Sequence, residues 1–127
     1  MSRKTFLTLA GVIAMAFGLT MAFAPDQMLN NLVGGGNPAA EHVLQWMAVV
    51  LFSVGCINIL SRNDPGSPAL RAVMLGNIIM HALGWAIDIY QHLQGFVTAQ
   101  GLIMGTIVHV VLIVLFALYL RSVPQRA

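Results

Sequence analysis

The sequence predicts an all-α fold: a polytopic membrane four-helix bundle with both termini cytoplasmic and a short interfacial segment in its first outer loop. Three observations predict it. Of 127 residues, 58% are hydrophobic and 8% are charged, against about 25% charged in soluble domains, and mean hydropathy is +0.83. So few charges cannot clothe a water-facing surface, which excludes a soluble globular domain. The same composition excludes disorder, which requires low hydrophobicity and high net charge. Second, four stretches reach the length of about 20 apolar residues needed to cross about 30 Å of hydrocarbon. Third, every Lys and Arg falls on one side once the four spans are laid out. The chain is read as a single transmembrane domain over residues 1–127.

The first span covers about 5–24 and stops at Pro25, which cannot continue a helix interior. Its basic start (Arg3, Lys4) and the triplet Ala22-Phe23-Ala24 resemble a signal peptide and its cleavage site. The apolar stretch exceeds the usual length of about 7–15 residues, and Pro25 would directly follow the cut, so the segment is read as a span. The second span covers about 38–60, with Asn37 as N-cap and Pro38 at the first helical position, where its missing N–H costs nothing. The third, about 68–90, repeats the device with Ser67 and Pro68. The fourth covers about 99–120 and ends at Arg121 and Pro124.

Connections between the spans are short except the first. In the outer loop 25–37, Met28, Leu29, Leu32 and Val33 share a helical face, the mark of a short interfacial helix, and Gly34-Gly35-Gly36 lets the chain turn back. Asp64-Pro65-Gly66-Ser67 reads as a tight cytoplasmic turn. About eight residues, 91–98, join spans three and four outside. Arg3, Lys4, Arg62, Arg71, Arg121 and Arg126 then share one side, while Asp26 and Glu41 lie opposite. Basic residues are retained in the cytoplasm, so both termini face it, and the chain belongs in the cell inner (cytoplasmic) membrane.

Chemistry-bearing motifs are scarce. A single cysteine, Cys56, precludes an intrachain disulfide. No Cys-x-x-Cys, Gly-x-x-x-x-Gly-Lys or His-Glu-x-x-His pattern occurs, and no basic patch interleaves with aromatics, so no nucleic acid is expected as a partner. Gly11, Ala14, Gly18 and Ala22 form a small-residue stripe on span one, and span four carries Gly101-x-x-x-Gly105. Both read as helix-packing surfaces, with a homo-oligomer face as the alternative.

The third span is the informative one. Asn77, His81, Gly84 and Asp88 follow spacings of 4, 3 and 4 and occupy one stripe, which polar residues at membrane depth turn away from lipid. His81 and His109 both fall near the midplane, on helices joined by a short loop, with Thr106 and Gly105 on the His109 face. The candidate site is therefore His81, His109, Asn77, Asp88 and Thr106, with no metal site, since the two histidines lack further ligands nearby.

One reading is an interhelical hydrogen bond between the imidazoles, with Asn77 or Thr106 satisfying the remaining nitrogens. The alternative is a cofactor whose identity the residues leave open: a quinone, a haem held by both histidines, or a pigment held by one. Packed neighbouring helices sit about 8–10 Å apart, which is close for a porphyrin. Asp88 lies one helical stretch of about 10 Å outward from His81, beyond direct contact. It reads as a wetted boundary carboxylate, or as one of two steps of a proton path that nothing continues inward. Asn58 reads as a helix-end hydrogen bonder.

In length and span number, and in Phe23-Ala24-Pro25 closing the first span and Gly55 through Ser61-Arg62-Asn63 closing the second, the chain resembles the small DoxX-like four-helix membrane proteins. That resemblance implies a four-helix bundle and no catalytic residue. The expected function is a non-catalytic structural or accessory subunit, whose partners are the lipid bilayer and a homo-oligomer or larger membrane complex. A redox or ligand-binding protein built on the midplane histidines is the alternative, and a small transporter the third option.

Overall fold

The computed structural model describes residues 1–123. Pro124 and Arg126, which the sequence assigned to the end of the fourth span and to the basic side, lie outside the described residues. The described chain is helical throughout, in five helices: α1 (Arg3–Phe23), α2 (Pro25–Val33), α3 (Pro38–Ser61), α4 (Pro68–Leu93) and α5 (Ala99–Arg121). Four of them, α1, α3, α4 and α5, are long and apolar enough to cross a membrane. They fall into two compact units, Met1–Arg62 and Asn63 onward.

The helix starts are set by local chemistry. Asn37 is extended and its Oδ1 accepts from Ala40 N at 3.0 Å. Ser67 Oγ accepts from Leu70 N at 3.1 Å, and Thr98 Oγ1 from Gly101 N at 3.0 Å. Each satisfies one of the N–H groups that a helix start leaves without an intrahelical partner. Pro38 and Pro68 occupy the first helical position behind two of these caps. Ahead of Ser67, Asp64 Oδ1 accepts from Gly66 N at 2.7 Å and Ser67 N at 2.8 Å, and Oδ2 takes the Ser67 hydroxyl at 2.6 Å. The carboxylate thereby holds both the turn and the residue that caps α4.

α4 runs three residues beyond the expected end, to Leu93. Gly95, at φ 80°, stops it: its N–H bonds to His92 O at 2.9 Å and that of Phe96 to Gln91 O at 2.9 Å. This is the Schellman arrangement, which satisfies terminal carbonyls through a left-handed glycine. The link to α5 is correspondingly shorter than the sequence suggested.

In the first unit, α1 and α3 pack antiparallel through backbone-to-backbone contact. A Cβ on Gly11 would lie 2.7 Å from Gly55 O, one on Gly55 2.6 Å from Gly11 O, and one on Gly18 2.9 Å from Ala48 O. The small-residue stripe of α1 is therefore occupied inside the chain, by α3. Gln45 adds a side-chain tie, donating from Nε2 to Ala22 O at 3.1 Å. The expected interfacial segment is the helix α2, which turns Pro25 and Leu29 inward, and Gly36 closes against Leu29. Asn58, in the last turn of α3, is packed inside the unit at 1% exposed. Arg3 and Lys4 begin α1 and Arg62 follows α3, so antiparallel packing brings these cations to one end of the unit, opposite Asp26 and Glu41.

In the second unit, α4 and α5 form an antiparallel hairpin. Arg71 Nη1 donates to Val123 O at 2.9 Å, tying the start of α4 to the end of α5. Arg71 and Arg121 thus share an end, as Arg3, Lys4 and Arg62 do in the first unit.

Candidate functional site

The antiparallel register of α4 and α5 sets opposite one another the residues on which the site depends. His81, near the middle of α4, and His109, near the middle of α5, meet through their Nδ1 atoms at 3.0 Å. The ring centroids are 5.2 Å apart with the planes tilted by 55°. On its other face His81 stacks on Phe116, with centroids 6.2 Å apart and planes 27° apart. Two turns further along α4, Asp88 Oδ2 lies 3.5 Å from His109 Nε2. The two side chains are 31% and 23% exposed, whereas His81 is buried at 8%.

Two glycines make the geometry accessible. A Cβ on Gly84 would meet the His109 ring at Cε1, 3.0 Å away. A Cβ on Gly105 would collide with Asp88 Oδ2. Gly84 thus gives the imidazole its seat on α4, and Gly105 gives the carboxylate its seat on α5. The sequence places Gly105 both in a packing motif and on the His109 face, but does not show that it makes room for Asp88.

Two expectations change. Asp88, read as a wetted boundary group out of reach of His81, is connected to it through His109, whose ring bridges the gap that the α-helical rise opens between positions 81 and 88. The second nitrogen of His109 faces Asp88, and Thr106, one of its two expected partners, accepts instead from Trp85 Nε1 at 3.1 Å. Asn77, 6% exposed, donates from Nδ2 to Val73 O at 2.8 Å. All five candidate residues therefore lie in one hairpin, but the chain of ring and carboxylate contacts runs through His81, His109 and Asp88.

Trp85 and Phe116 were missed. The signal was present: Trp85 follows His81 by four residues and Phe116 follows His109 by seven, so each shares the face of its histidine. No buried side-chain nitrogen or oxygen lacks a partner among the described residues, which a low-dielectric interior demands. No group of three or more His, Cys, Asp and Glu able to hold a metal ion occurs among them either.

The contacts dictate hydrogen placement. A neutral imidazole has one N–H and one bare nitrogen. An ionised Asp88 calls for the N–H of His109 at Nε2. His109 Nδ1 is then the acceptor, so His81 must donate from Nδ1 and carry its bare nitrogen at Nε2.

No protein-family model matches the chain, and neither does any curated protein or solved structure.

Proposed function

We propose that this is a multi-pass protein of the cytoplasmic (inner) membrane, a four-helix bundle of the DoxX-like type, acting as a non-catalytic structural or accessory component of a larger membrane assembly. The observation that carries it is the pairing of four apolar helices into two antiparallel hairpins, each with its basic residues gathered at one end. That charge placement favours cytoplasmic termini. Large apolar side chains such as Leu60, Leu83, Ile103 and Ile107 are at least 60% exposed, which suits contact with lipid tails or with partner helices. Fusions to a reporter active only outside the cytoplasmic membrane test the topology. The expected result is silence after Arg121 and activity in the Gly34-Gly35-Gly36 loop; activity after Arg121 overturns it.

A second reading, a ligand- or redox-active membrane protein, is favoured by the histidine pair. An imidazole nitrogen sits about 2 Å from a bound metal, so two opposed ligands of one iron stand about 4 Å apart, wider than the 3.0 Å contact between His81 and His109. The pair as placed does not fit a haem shared between both rings. A quinone headgroup at one ring is the ligand that this reading retains, and quinone extraction from the purified protein tests it.

A further inference from the structure

We propose that Asp88, His109 and His81 form one proton relay inside the α4–α5 hairpin, carrying a proton between the Asp88 carboxylate and the Nε2 atom of His81. This goes beyond an accessory role and stands on geometry alone. Three proton-exchanging groups lie in sequence, His81 Nδ1 to His109 Nδ1 at 3.0 Å and His109 Nε2 to Asp88 Oδ2 at 3.5 Å. The first contact is at hydrogen-bond distance. The second reaches it through a side-chain shift of a few tenths of an ångström, into the space that Gly105 leaves beside the carboxylate.

The transfer balances. With Asp88 ionised, His109 carries Nε2–H, His81 carries Nδ1–H, and His81 Nε2 is bare. A hydronium ion gives up a proton, its O–H bond breaking and leaving water as an N–H bond forms at His81 Nε2. The Nδ1–H bond of His81 breaks as one forms at His109 Nδ1. The Nε2–H bond of His109 breaks as an O–H bond forms at Asp88 Oδ2. The chain has taken up one proton, both rings are neutral again, and each contact persists with donor and acceptor exchanged. Running the steps backward returns the proton.

The end states explain the order of the groups. A proton stored on an imidazole would leave opposite charges on His109 and Asp88, both partly desolvated, and burying ions is costly even when they are paired. Passing it to the carboxylate removes both charges. Asp88, the most exposed of the three, is the end of the relay on which the proton comes to rest.

The hairpin's other described titratable groups stand apart from this path. Asp64 is held by Gly66 and Ser67, Arg71 by Val123 O, and His92 by Val97 O at 2.8 Å. Tyr90, Tyr119 and Arg121 lie toward the helix ends.

The test uses the full-length protein in lipid bilayers, labelled with nitrogen-15 at histidine. The carboxyl C=O infrared band of Asp88, assigned by its loss in Asp88→Asn, is followed in parallel. Before acidification, the relay requires an Nδ1–H tautomer at His81 and an Nε2–H tautomer at His109. The first proton taken up should exchange the two tautomers and produce the Asp88 acid band at one common pH, with both rings neutral. An imidazolium signal appearing while Asp88 remains ionised overturns the proposal, as do tautomers that stay fixed when the acid band appears. If the Asp88→Asn protein fails to fold, the displacement of the band in Asp88→Glu, which keeps a carboxyl, assigns it instead.

Discussion

The Nδ1 atoms of His81 and His109 stand 3.0 Å apart, so the two histidines at mid-helix in α4 and α5 are hydrogen-bonded to each other. One ring donates and the other accepts, and the tilt of 55° between them leaves His81 free to stack on Phe116. Such a bond locks rotation and register together, because a helix turned by one residue moves its ring by about 100° around the axis.

His81→Leu and His109→Leu should each destabilise the protein modestly, and the double change should cost less than the sum. Interhelical hydrogen bonds in membranes average about 0.6 kcal/mol and reach about 1.7 kcal/mol, which bounds the coupling. A double-mutant cycle by detergent-denaturant unfolding measures it; additive costs would show that the rings do not interact.

Gly105→Ala should disturb the site more than the fold. Its Cβ takes the place of Asp88 Oδ2, and the carboxylate, being the end of a mobile side chain, moves away. Unfolding should change by less than about 1 kcal/mol, as for substitutions that neighbours can accommodate. The nitrogen-15 signals of His109 should shift toward those of Asp88→Asn. Unchanged His109 signals would show that Asp88 and His109 do not depend on Gly105.

Gly55→Leu should be strongly destabilising and Gly76→Ala nearly neutral. Gly55 faces the α1 backbone at Gly11 O and Met15 N, whereas a Cβ on Gly76 meets nothing within 4 Å. Overpacking of this kind costs about 1–3 kcal/mol or more, and here neither backbone can yield without separating α1 from α3. Equal thermal stability of the two variants in detergent would contradict the packing described.

Asn37→Ala should weaken the start of α3. The loss is one side-chain bond to Ala40 N, and N-cap removal costs about 1 kcal/mol. Amide hydrogen exchange should rise at residues 38–41 and stay unchanged in α4 and α5; uniform protection would show that the cap is dispensable.

The sequence by itself determined where the helices are. Apolar length, the Asn37-Pro38 and Ser67-Pro68 starts and the stop at Pro25 are local properties of the chain, and the structure reproduces their boundaries within a few residues. Gly95 held the end of α4 equally locally, though its left-handed role went unread. Tertiary structure decided which faces meet. Lipid tails are as apolar as a leucine, so a membrane helix need not divide into an apolar and a polar side, and its pattern does not announce the contact face. The stripe of Asn77, His81 and Asp88 could be drawn on α4, but only antiparallel packing against α5 sets His109 between His81 and Asp88. Only the approach of α1 to α3 shows that the partner of Gly11 is Gly55, because a backbone contact between glycines has no side chain to signal it.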